Sequence, residues 1–156
     1  MNTPPNEPAS RNDVLAGKAS VEESIEYYLS TYRELVGFVP PRIQARFDKL
    51  RETNPELLLA QEKTRNLISY TDQLDQKTVQ LVLFAVLGVQ LRDAARIHGA
   101  AAKRAGATEE QLQAVLDLAY LFGGTSITNH APSILDGVRE LEEKAAKIAA
   151  QRDEGE

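Results

Sequence analysis

The chain has no cysteine and no tryptophan among its 156 residues, and only one methionine and two histidines. Without cysteine it has no disulfide staples, no Cys-ligated zinc, no iron–sulfur cluster and no thiol chemistry. Any metal site would have to be built from the two histidines and carboxylates. No apolar run approaches the roughly 20 residues needed to cross a bilayer, and residues 1–20 lack a charged segment followed by an apolar one, so the expected location is cytoplasmic. Basic residues are in deficit: the formal net charge is -5, which opposes non-specific attraction to nucleic acid or to an anionic membrane. No glycine-rich phosphate loop is present. No alternating apolar and polar stretch marks a strand, so a sheet is not expected.

What is there reads as helix. Apolar residues make up 42% of the chain and charged residues 26%, enough to fill one core and too apolar for a disordered chain. Residues 1–19 hold Pro4, Pro5 and Pro8 without periodic apolar signal and are expected to be a flexible arm. A single helical domain is expected over 20–150, with residues 151–156 fraying as an acidic tail. Ser20 and Glu23 form a capping box for a first helix that Gly37 ends. Pro41 and Asn54-Pro55 open the next two, the third carrying Leu57, Leu58 and Ile68. Asp75 opens a fourth, whose run 81–87 is apolar all round and is expected at the centre of the core. A fifth runs from about Leu91 to Ala105. Thr108 and Gln111 box a sixth that ends at Gly123-Gly124, and a last begins between Thr125 and Pro132. The fold class is all-α, a bundle of about six to seven helices.

On the fifth helix Leu91, Ala94, Ala95, His98, Ala101, Ala102 and Ala105 share a stripe, which points His98 inward among small side chains. Two readings are open there. One is a buried histidine whose ring nitrogens are satisfied by backbone or a carboxylate; the other is a general acid/base, since imidazole titrates nearest neutrality.

The segments Asp75-Gln76-Lys77-Thr78-Val79-Gln80-Leu81, Ile97-His98-Gly99-Ala100 through Gly106-Ala107-Thr108-Glu109, and Leu121-Phe122-Gly123-Gly124 resemble the carboxymuconolactone decarboxylase family, which shares its fold with AhpD-type alkylhydroperoxidases. The resemblance covers roughly residues 33–143. It implies an AhpD-like bundle, a homo-oligomer (homotrimer or homohexamer), no cofactor, and a small carboxylate or lactone substrate of the kind produced in aromatic-compound breakdown. In the peroxidase branch two cysteines precede the family histidine by seven and four residues; here Leu91 and Ala94 stand there, so thiol peroxidase activity is excluded. The family's Arg-Glu-Leu reads Val79-Gln80-Leu81, and the connection onward to His98 is one residue shorter. The decarboxylase branch lacks the cysteines and keeps the histidine. The glutamate, histidine and tyrosine that its sixth helix tends to carry read here Ala114, Leu118 and Phe122.

Beside His98, the candidate catalytic residues are Tyr120 and His130. Tyr120 sits in an apolar run and reads first as a core tyrosine; Asp117 reads as exposed. His130 follows Gly124, Thr125, Ser126 and Asn129, which read either as capping residues or as a helix start where free N–H groups hold a substrate carboxylate. Arg42, Arg46, Lys49 and Arg51 share a helix with Asp48 and Glu52 and read as a mixed solvated face. No metal ligand set of fixed spacing is present. Two functions are expected from these residues. The first is a lyase-like, cofactor-free acid/base enzyme (decarboxylase, lactone hydrolase or isomerase); the second is a non-catalytic oligomeric protein that keeps the fold and binds a small molecule.

Overall fold

The structure, a computed structural model, describes residues 9–153 and is all-α: eight helices and, among the described residues, no strand. They are α1 (Arg11–Leu15), α2 (Val21–Val36), α3 (Pro41–Thr53), α4 (Pro55–Ser69), α5 (Gln76–Val89), α6 (Ala94–Arg104), α7 (Glu109–Gly123) and α8 (Thr125–Asp153). The described residues form two compact units, the first up to residue 34 and over 39–68, the second over 35–38 and from 69 onward. Among the described residues no helix is long and apolar enough to cross a membrane.

In the first unit, α1 falls inside the segment expected to be an arm. Five residues are too few to display a period, but Ser10 caps them by accepting from the Asp13 N–H at 3.2 Å, and Val14 is buried. Residues 1–8 lie outside the described residues. Val14 packs with Ile25, Tyr28, Leu29, Tyr32, Phe47 and Leu58. The α4 stripe differs from the expected one: Leu57 and Ile68 are exposed, and the buried positions are Leu58, Glu62 and Asn66, each one turn after the last. Polar residues on that stripe concealed it. Glu62, 1% exposed, lies between two arginines: it accepts from Arg46 and from Arg65 Nε at 2.8 Å, and Tyr32 Oη lies 3.1 Å away. Arg46 is therefore a half-buried ion-pair partner and not part of a solvated face. The Arg65 guanidinium also stacks over the Tyr32 ring at 4.1 Å.

In the second unit α5 and α8 each pack against both α6 and α7. The core is Phe84, Ala95, Leu112, Leu116, Ile127 and Val138 with smaller neighbours. α5 is not buried all round. Gln80, Phe84 and Gly88 face inward at four-residue steps, while Val82, Val86 and Val89 on the opposite side are 40–52% exposed. α6 starts at Ala94, later than expected, because the shortened connection closes with Leu91 at φ 53, a left-handed conformation that a helix cannot contain. The Thr108–Gln111 capping box of α7 is present in both directions, at 3.0 and 3.2 Å. α8 starts directly after Gly124, so Ser126, Thr128 and Asn129 lie within the helix and do not precede it. Pro132 also sits inside α8, where it has no N–H to offer the Thr128 carbonyl. The end expected to fray after 150 is helical to Asp153; residues 154–156 lie outside the described residues.

Candidate functional site

α5 and α6 bring the central candidate into place. The capped start of α5, where Asp75 accepts from the Thr78 N–H at 2.9 Å, sets the register that turns Gln80 inward beside Phe84. Hydrogen bonding from Thr78 holds the Asp75 carboxyl below its ordinary value. α6 lies close to its neighbours because Gly99 has no side chain: a Cβ there would stand 2.5 Å from Val138 Cγ2 and 3.1 Å from the Phe84 ring. This close approach holds the residue before it, His98, against α5.

His98 is half-buried, and its Nδ1 lies 2.8 Å from Gln80 Oε1. Gln80 is 1% exposed. Its own Nε2 reaches Gln76 Oε1 at 3.3 Å, and Gln76 Nε2 donates to the Ser69 carbonyl at 2.6 Å. Four groups thus form one connected line from backbone to imidazole. Gln80 occupies the place of the family glutamate, so an amide, neutral at every ordinary pH, holds the ring where a carboxylate would carry charge. Sequence reading marked Gln80 as a missing acid; it missed that the amide keeps the hydrogen bond. The signal was its position, one turn before Phe84 on an apolar helix.

The other candidates are arranged differently. Tyr120 is 41% exposed and is not a core tyrosine, because the inward stripe of α7 runs through Leu112 and Leu116 and passes to one side of it. Asp117 is exposed, as expected, and accepts from Gln113 Nε2 at 2.8 Å. His130 is exposed on α8, its Nδ1 3.1 Å from the Ser126 carbonyl one turn back. Gly124, at φ 73, ends α7 by donating to the Tyr120 carbonyl at 2.9 Å, and Thr125, Ser126 and Asn129 are exposed in the first turns of α8. A cleft of about 230 Å³ is bordered by Val36, Ala100, Arg104, Leu141, Glu142 and Ala145, and none of the expected site residues lines it. Among the described residues no three His, Asp or Glu side chains gather as a metal cluster.

The positions where the decarboxylase branch tends to carry polar groups on α7 are outward-facing here: Ala114 is exposed, Leu118 is 65% and Phe122 95% exposed. With Leu121 at 70%, they give α7 an apolar outer face.

No curated protein and no solved structure matches the chain. A family model does, over residues 55–136, a stretch that takes in α4 to α7, the first part of α8 and the whole Ser69–Gln76–Gln80–His98 line. On that match the chain belongs to the carboxymuconolactone decarboxylase family.

Proposed function

We propose that this protein is a cofactor-free acid/base enzyme of the carboxymuconolactone decarboxylase type, acting on a small carboxylated substrate such as a lactone, with His98 moving the proton. The observation that carries this reading is a half-buried imidazole, held at 2.8 Å by a fully buried amide within the family-matched stretch. Imidazole titrates nearest neutrality, so a ring held in place this way suits proton exchange with a bound molecule. In decarboxylation the bond to the carboxylate breaks, its electron pair passes into the lactone carbonyl as an enolate, and carbon dioxide leaves. His98 then supplies the proton that the enolate carbon takes up. Lactone hydrolysis or isomerisation uses the same ring to accept a proton first. Tyr120 and His130 are proposed as assisting groups, with Gly124, Thr125, Ser126 and Asn129 receiving the substrate carboxylate. Thiol peroxidase chemistry has no nucleophile here.

A homo-oligomer, trimer or hexamer, belongs to the same proposal. Val82, Val86 and Val89 on α5 and Leu118, Leu121 and Phe122 on α7 are exposed large apolar side chains, the kind of surface that marks an interaction site. A second copy of the chain is the occupant this surface fits best.

A second reading, an oligomeric protein that binds a small molecule without turning it over, draws support from Ala114, Leu118 and Phe122 standing where the family tends to place polar groups. Turnover separates the two. The purified protein is offered carboxylated lactones, β-keto acids and hydroperoxides, with product analysis and thermal-shift binding in parallel. Turnover of a lactone or keto acid is expected. Binding without turnover of any of them would favour the second reading, and turnover of hydroperoxides alone would overturn both.

A further inference from the structure

The cleft of about 230 Å³ lies wholly within the second unit. Of the described residues that border it, only Ala100 and Arg104 fall within residues 55–136, so it belongs mostly to chain outside the family-matched stretch. Alanine makes the space. Ala100 on α6 and Ala145, Ala146 and Ala149 on α8 each stop at one carbon and leave room between Val36 and Leu141. The walls are pinned. Lys103 of α6 pairs with Glu142 of α8 at 2.9 Å, and the Lys144 ammonium stands 4.5 Å over the Phe38 ring. Gly37, at φ 86, brings residues 35–38 so near to α8 that a Cβ there would stand 2.8 Å from Ala145 Cβ.

The charges at the rim are already engaged: Glu142 is paired with Lys103, and Arg104 has a partner of its own. A carboxylate entering the cleft has to compete for those cations, and an ammonium group has to compete with Lys103 for Glu142. A neutral apolar molecule requires neither exchange. It takes its own surface and that of Val36, Leu141 and the alanines out of water, which is favourable without any directional bond. An apolar cavity of ~150 Å³ is enough to hold benzene, so a cleft of about 230 Å³ has room for a ring with a short substituent. We propose that this cleft binds a small neutral apolar molecule the size of an alkylbenzene. His98 does not border it, and the binding is independent of the proton transfer proposed for that residue.

The test uses toluene, with benzoate as a charged molecule of similar shape. The full-length protein, labelled with carbon-13 at its alanine methyl groups, is titrated with each. Ala146 and Ala149 are exposed, so Ala146→Ser and Ala149→Ser assign their signals with little effect on the fold. Saturable shifts of both signals are expected with toluene, and an affinity at least tenfold weaker with benzoate. Ala146→Phe and Ala149→Phe, at the same exposed positions, fill the cleft with a ring and are each expected to weaken toluene binding at least tenfold. His98→Gln is expected to bind toluene as wild type does, so failure of the enzyme reading leaves this one standing. Three results would overturn the proposal: no saturable shift up to the solubility limit of toluene, benzoate binding as tightly as toluene, or both phenylalanine variants binding toluene like wild type. If, in addition to an absent shift, Ala146→Phe lowered the sedimenting mass, the cleft would belong to a second copy of the chain.

Discussion

His98 and Gln80 meet across α5 and α6 at 2.8 Å, imidazole to amide, with the amide itself anchored through Gln76 to a backbone carbonyl. Replacing that amide by a carboxylate changes charge without changing shape. In Gln80→Glu the anion favours the imidazolium, so His98 binds its proton about tenfold or more tightly than in wild type. NMR titration of the ring checks this; an unmoved midpoint would mean that position 80 does not contact the imidazole in solution.

Gly99 is the price of the close α6 packing that seats His98. Gly99→Ala puts a Cβ 2.5 Å from Val138 Cγ2 and 3.1 Å from Phe84, both core side chains without room to give. The expected loss is about 1–3 kcal/mol of stability by chemical denaturation. A neutral result would show that the helices sit farther apart.

The Glu62 carboxylate pairs with both Arg46 and Arg65, and it is almost fully buried. Glu62→Ala leaves two guanidinium groups partly desolvated without it, a change worth about 3–5 kcal/mol. Arg46→Ala, whose side chain is about one-third exposed, should cost distinctly less. Denaturation of the two variants side by side checks the order.

Tyr32, beside the same carboxylate, has its phenol pushed up to about 12 from an ordinary 10.0, first by burial and then through nearby charges, with Glu62 raising it and the arginines opposing. A raised phenol contributes stability that is fully present below pH 10 and is lost as the pH rises toward 12. Wild type should therefore lose stability over that window more steeply than Tyr32→Phe. Parallel slopes would remove Tyr32 from the account.

The outer faces of α5 and α7 make the oligomer testable. Phe122→Glu combined with Leu118→Glu, at sites 95% and 65% exposed, should leave the fold unchanged by circular dichroism and lower the sedimenting mass to that of one chain. A wild-type protein that sediments as a monomer would refute the assignment of this surface to a second copy.

Most helices were legible because their ends carry local chemistry: Thr108 with Gln111, Asp75, and Pro41 all act within one turn. Burial was less legible. On α5 the sequence is apolar around the whole helix, so periodicity could not tell Phe84, which is buried, from Val82 and Val86, which are not. On α4 the buried stripe holds Glu62 and Asn66, and polarity hid it. Tyr120 was assigned to the core because its neighbours are apolar, although a helix exposes apolar residues where a surface is free to meet another one. His98 was found because it shares a helix stripe with small residues and lies in a segment that resembles the family. Its partner Gln80 was seen only as an absent acid, since nothing in sequence tells which way an amide points.

The central claim is that His98 moves the proton, and the direct measurement is kcat/KM of wild type against His98→Gln on a carboxylated lactone or keto acid that the wild type turns over. Removal of a positioned general acid/base is expected to lower kcat/KM by about 10²–10⁴-fold while the thermal-shift response to the same compound persists. A variant that turns over at the wild-type rate would contradict the account.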